Sequence, residues 1–326
     1  MLGLFGKEAP QVQAYGKLPL AKDYLRVGAG EGTGREFREW LDQAFSGQTS
    51  AGAPTTLPWP MRFVVSGGRG EPLLGTAWPS SDAGGLRKFP FALFVERRKK
   101  ALIEALSRGL ADQHRWWEAI ETFYDARENF ADGQSFLAAM RGKTIEAAKA
   151  DPDDGGDEEA EHVAWQEWLQ ALWPADPAAR LAETLRAVAQ AARDRRPLRL
   201  PLVGELPIAE QVAAWCRALT ELQWVERGEL PSLFFPRASG AEPQAAALPA
   251  SLVAFHGPLA VRDVAWLSQP AGSSLLDDGG RAGTGGNVGS NLDDGTRGAV
   301  GPGALKRGAA LADSMLGALV SFKARS

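Results

Sequence analysis

The chain has 326 residues, of which 44% are hydrophobic, 23% charged and 9% aromatic, and this excludes disordered, collagenous and disulfide-stapled classes. Its 36 Lys plus Arg against 40 Asp plus Glu leave a formal charge of -4, which gives a phosphate-rich partner no whole-protein attraction, so no nucleic-acid partner is expected. Cys216 is the single cysteine, which excludes an intrachain disulfide and a multi-cysteine zinc site and suits a reducing compartment.

Met1 to Pro10 has a short apolar stretch without a basic region before it and reads as no secretory signal. Gln11 to Tyr15 predicts a strand, and Gly16-Lys17-Leu18-Pro19 a turn, because proline cannot continue a ladder. Thr33 is placed to cap a helix over Gly34 to Phe45, where Phe37, Trp40, Leu41 and Ala44 form one apolar stripe. Met61 to Val65 is short, apolar and bounded by Pro58-Trp59-Pro60 and Ser66-Gly67-Gly68, which predicts a buried strand. Leu73 to Trp78 and Phe89 to Glu96 read as two more.

From Lys99 to about Arg195 the texture becomes helical, rich in Ala, Leu, Glu and Arg, and is read as four helices. The acidic run Asp151 to Glu161 interrupts it as a solvated loop. Leu198 to Val203 returns to strand character, Ile208 to Leu219 predicts a helix, Ser232 to Phe235 and Leu252 to Phe255 strands, and Val261 to Leu267 a closing helix. Strands at both ends with helices between predict an α/β fold for residues 1–269. Residues 270–304 are dominated by Gly, Ser, Asp and Asn and predict a flexible linker. In residues 305–326, Leu305, Ala309, Ala312, Met315, Leu316, Leu319 and Val320 recur at helical spacing as an amphipathic tail helix. The longest apolar run near that end, Leu311 to Phe322, is broken by Asp313, so no transmembrane segment is expected and the tail is left to touch a partner or a membrane surface.

Chemistry-bearing motifs fail one by one. Gly28-x-Gly30 is followed by Thr33 where a dinucleotide loop needs a third glycine. Asp151, Asp153, Asp154 and Asp157 miss calcium-loop spacing, because Gly155 stands where the third donor belongs. His114, His162 and His256 are scattered singly, so no metal site is expected. Cys216 sits beside Trp215 in an apolar helix and packs as a small hydrophobe. The basic clusters Arg97 to Lys100 and Arg193, Arg195, Arg196 and Arg199 fall at element boundaries and read as solvated helix ends. No cofactor and no catalytic residue are predicted.

Two polar segments resist these bland readings. One is Tyr15-Gly16-Lys17-Leu18-Pro19-Leu20-Ala21-Lys22-Asp23-Tyr24. The other runs Trp78-Pro79-Ser80-Ser81-Asp82-Ala83-Gly84-Gly85-Leu86-Arg87-Lys88-Phe89-Pro90-Phe91. They resemble, in order, the two N-terminal signatures of the TagF family of type VI secretion accessory and regulatory proteins. The resemblance rests on Gly16, Lys17, Leu18, Pro19 and Asp23, and on Trp78, Pro79, Ser80, Asp82, Gly85, Arg87 and Pro90. The sequence departs from the family pattern in Lys22 for Gly, Tyr24 for Phe, the direct Trp78-Pro79 junction, and Leu86 as an extra residue between Gly85 and Arg87.

The resemblance implies a three-layer α/β/α sandwich, here expected to hold a mixed sheet and a large helical segment. It also implies a non-enzymatic, cytoplasmic role: post-translational repression of secretion assembly by protein–protein binding, in some systems to a forkhead-associated scaffold protein. A structural or assembly accessory of the apparatus is the alternative, and an enzyme with Asp23, Asp82 and Arg87 in a cleft is the remaining class. Two roles stand for the motif residues. In one, Asp23 and Asp82 bind loop amides or pair with Lys17 or Arg87 to fix two turns. In the other, the charged groups form the partner surface with Trp78 as an aromatic anchor.

Overall fold

The computed structural model describes residues 10–46, 56–68, 70–107, 110, 113–141, 168–203, 208–221, 229–237 and 251–268. The predicted acidic loop Asp151 to Glu161, the linker 270–304 and the tail helix 305–326 lie outside the described residues. In the described part, one eight-stranded sheet runs in the spatial order β2-β1-β5-β4-β3-β7-β8-β6. Its strands are β1 (Gln13–Gly16), β2 (Leu25–Val27), β3 (Met61–Val65), β4 (Leu73–Trp78), β5 (Phe91–Glu96), β6 (Leu198–Pro201), β7 (Ser232–Pro236) and β8 (Ser251–Phe255).

Every pairing in this sheet is antiparallel, which corrects the expected mixed sheet. For the strands adjacent in sequence the reason is connection length. Residues 66–72 join β3 to β4 without room for the crossover that a parallel neighbour needs. The longer β4–β5 connection folds back on itself through a Ser81–Lys88 bridge. The short edge strand β2 was absent from the expectation, because Leu25-Arg26-Val27 offers a single alternation.

Alternation along the strands divides the core in two. On one face, Met61, Phe63 and Val65 of β3, Ala92 and Phe94 of β5 and Phe234 of β7 pack against α1 (Gly32–Phe45), through Phe37, Trp40, Leu41, Ala44 and Phe45. A 3-10 turn (Val261–Asp263) and the short α7 (Val264–Ser268) cover the same face. On the opposite face, Val64, Leu74, Trp78, Phe91, Leu93 and Val95 meet α2 (Lys99–Ser107), α3 (His114–Asp125), α4 (Gly133–Met140), α5 (Pro177–Asp194) and α6 (Ile208–Glu221). This is a three-layer α/β/α sandwich. Each fully buried large side chain, such as Trp117, Trp215 or Phe63, contributes about 1.5–3 kcal/mol relative to exposure.

Among the described residues the helical block holds α2 to α5 plus a further helical run at 168–172, where four helices were expected. Thr33 does not cap α1: Glu31 is the N-cap without a side-chain hydrogen bond, and Thr33 is buried inside the first turn. Two basic residues read as solvated helix ends have tertiary partners, one of them buried and the other half-buried. Arg199 is 4% exposed and donates to Ser251 Oγ and to the Trp266 carbonyl. The Arg97 guanidinium lies 4.1 Å over the Trp116 ring. Both have apolar stems long enough to reach a polar partner or an aromatic face.

Candidate functional site

The two motif segments are the β1–β2 and β4–β5 connections, and antiparallel pairing of β1 with β5 brings them to one end of the sheet. At Gly16, paired with Phe91, a Cβ would fall 2.0 Å from the Pro90 carbonyl oxygen, and its φ of 132° lies where side chains are not tolerated. Only glycine permits this approach. The chain then turns, with Ala21 N–H donating to the Leu18 carbonyl at 2.9 Å and Pro19 presetting the first turn dihedral. Leu18 is fully buried under the turn. The Leu20 carbonyl accepts from Gly133 N–H at 2.9 Å, which ties the turn to the start of α4. There Asp132 caps the helix by accepting from Ser135 N–H at 2.7 Å.

The second connection is organised around Asp82. Its backbone N–H donates to the Arg87 carbonyl at 3.2 Å, and its carbonyl accepts from Gly85 N–H at 2.9 Å. Gly85 adopts a φ of 68° in open space, so the turn needs a left-handed residue rather than a small one. The Asp82 carboxylate accepts from Leu86 N–H at 3.2 Å, from Arg87 N–H at 3.4 Å and from Arg87 Nε at 2.5 Å. These bonds, the Arg87 side chain above all, hold its carboxyl below the ordinary value of 3.8. A carboxylate so stabilised in its charged form is a poor proton acceptor.

Arg87 joins the two loops. Its Nη2 donates to the Lys22 carbonyl and lies 3.4 Å from Asp23 Oδ1, while Ala83 N–H donates to the Ala21 carbonyl at 2.8 Å. Asp23 and Asp82 therefore converge on one guanidinium, although the Asp23 side chain is 87% exposed and that of Asp82 7%. Ser80 and Pro79 are half-buried, with the Ser80 carbonyl accepting from Phe89 N–H at 3.0 Å, and Pro90 is buried. Trp78 leaves the group. It is 3% exposed, stacked 3.8 Å from the Tyr124 ring in the five-helix core, and the reading of it as a surface anchor is corrected. Its position in β4 aims it at the layer of α3, opposite in parity to Ala77.

Beside the loops opens a cleft of about 560 Å³. Lys17, Arg87 and Lys88 line it with cations, and Tyr24, Phe45 and Phe89 with rings. Tyr24 is stacked on Tyr15 at 5.7 Å and meets Phe89 edge-on at 4.9 Å. Lys17 is 5% exposed, and its Nζ sits 4.9 Å over the Tyr24 ring. Burial, and then the neighbouring Arg87 charge, push the Lys17 ammonium below its ordinary value of 10.5, against Asp82 and Asp23. Tyr24, Phe45, Lys88 and Phe89 were not among the expected site residues. Tyr24 and Lys88 were legible as neighbours of motif positions, whereas Phe45 belongs to α1 and carried no local signal.

Residues 13–142 match the family model for the TagF N-terminal domain, described as type VI secretion system-associated. The crystal structure of PA0076 from Pseudomonas aeruginosa PAO1 is similar over 86% of this chain and 100% of its own, at 16% identity and a TM-score of 0.42. The search of curated proteins gave no match. Among the described residues no helix is long and apolar enough to cross a membrane.

Proposed function

Residues 13–142 belong to the TagF N-terminal domain family, so the chain is a type VI secretion-associated protein, and on that premise we propose that it represses secretion assembly post-translationally by binding a component of the apparatus. A forkhead-associated scaffold protein in the cytoplasm is the first partner to test. The observation that carries the reading is the coincidence of the family match with a pre-organised loop pair. The matched segment spends its distinctive residues on joining two connections through Arg87, and such a rigid, exposed surface suits protein recognition. No catalysed reaction belongs to the reading, which the low proton affinity and saturated hydrogen bonding of Asp82 support.

In this reading the binding surface lies within residues 1–269. The test is secretion measured in cells lacking the protein and in cells overproducing it, with component levels followed in parallel. Repression predicts more secretion without it and less in excess, at unchanged component levels. Loss of secretion on deletion overturns repression in favour of an assembly accessory. A pull-down with the full chain and with a chain ending at Gln269 identifies the partner and locates the contact.

A further inference from the structure

A desolvated ammonium without a counter-ion raises the free energy of the folded state unless something compensates it. Lys17 comes close to this position, because Asp82 and Asp23 act on its charge only from a distance and neither hydrogen-bonds it. It is 95% buried, lines the cleft, and among the described residues has the Tyr24 ring and no carboxylate or carbonyl as partner. The nearby acids are otherwise engaged: Asp82 by Arg87 and two loop amides, Asp23 by Arg87 on the exposed side, and Asp42 by the Tyr15 hydroxyl at 2.6 Å. Every charged side chain lining the cleft is cationic. The volume of about 560 Å³ is far more than one small anion fills, and the aromatic walls favour an apolar surface beside the charge.

We propose that this cleft receives an acidic segment of a protein partner, with one carboxylate meeting Lys17 and apolar side chains next to it packing on Tyr24 and Phe89. The proposal rests on the protein-binding reading above and gives that partner a chemistry. Arg87 and Lys88 widen the cationic field at the mouth, so that a second carboxylate is tolerated there, whereas a like-charged segment is repelled.

The test uses the full chain and fluorescence anisotropy of a short labelled peptide of Glu and Leu, with its Gln-for-Glu counterpart and inorganic phosphate as separate arms. The acidic peptide is expected to bind about tenfold more tightly than the Gln counterpart, as a charge-assisted contact requires. Lys17→Met is expected to lose about the same factor with an undiminished Tm, and Lys17→Arg to retain binding. Should Lys17→Met fail to fold, the exposed Lys88→Gln replaces it, with a smaller loss expected and equal binding counting against the proposal. Equal binding of both peptides, or of wild type and Lys17→Met, overturns it. Displacement of the acidic peptide by phosphate at equal concentration overturns the protein partner as the source of the anion. Capture of the forkhead-associated protein by wild type and Lys17→Met alike removes the cleft and leaves the repressor reading standing. Peptide binding without capture of any secretion component does the reverse.

Discussion

Two of the arginine–carboxylate clusters among the described residues differ in where the desolvation falls. Arg62 of β3 and Glu121 of α3 are each 5% exposed, bonded twice at 2.8 and 2.9 Å, with Thr76 Oγ1 donating to the same carboxylate at 3.0 Å and Arg237 Nε 3.2 Å away. Arg62 also donates to a ring nitrogen of His114 at 3.1 Å, and burial followed by the Arg62 charge pushes that imidazole below its ordinary value. Arg87, by contrast, is 54% exposed and gathers Asp82, Asp23 and a backbone carbonyl. The first cluster clamps a helix layer to the sheet from inside. The second orders loops at a rim where partners can reach them. Removing one polar partner costs much only where water cannot replace it.

The sharpest way to break the contrast is Glu121→Ala, which leaves the Arg62 guanidinium buried and unpaired. It is expected to cost about 3–5 kcal/mol in urea unfolding, the range for opening a buried pair. Replacing both partners by apolar residues, Arg62→Met with Glu121→Leu, is expected to recover part of that loss, because the desolvated charges go together. Thr76 and Arg237 limit the recovery, since each loses an acceptor. A double variant as unstable as the single one would mean that packing of α3, rather than charge, depends on this site.

Asp82→Ala comes next. It removes acceptors from two loop amides and from Arg87, so Tm is expected to fall by less than in Glu121→Ala, with hydrogen exchange rising first at Leu86 and Arg87. Because the folded-state pKa of Asp82 is depressed, its contribution is fully present above the ordinary value of 3.8 and is lost as pH falls through the lower folded value. The wild type and Asp82→Ala are therefore expected to differ in Tm near neutrality and to converge at strongly acid pH. A difference that persists there would remove charge from the account.

What the sequence disclosed follows the same division. Met61–Val65 and Leu73–Trp78 were legible to the residue, because short, largely apolar runs bounded by Pro and Gly leave few alternatives. Gly16 and Gly85 stood out as motif glycines; Gly16, read as the start of the turn, ends β1 in a close approach to β5, and Gly85 takes a left-handed dihedral. Pairing direction was not legible, since strand identity says nothing of which neighbour a strand takes, and the mixed sheet was an error of that kind. Nor were the contacts of Arg62 with Glu121, which are 59 positions apart, or of Arg199 with Trp266, 67 apart. Arginines at element boundaries look solvated until tertiary packing supplies their partners. The cleft was half legible: Lys17 and Arg87 sit in motifs, while Phe45 joins them only through the packing of α1.

The smallest effect is expected from Asp23→Ala, and it tests how far the exposed cluster is a unit. Asp23 is 3.4 Å from Arg87 with most of its side chain in water, a geometry in which solvent and salt screen the pair. Arg87 keeps Asp82 and the Lys22 carbonyl without it, so Tm should be unchanged within measurement. Removing this anion also leaves the cationic side of the cleft less opposed. Binding of an acidic peptide should then tighten slightly at low salt and match the wild type at high salt, because a Debye length near 10 Å at 0.1 M shrinks to about 3 Å at 1 M. A fall in Tm comparable to that of Asp82→Ala would instead make Asp23 part of the structural joint between the loops, and the exposed cluster would then be bound as tightly as the buried one.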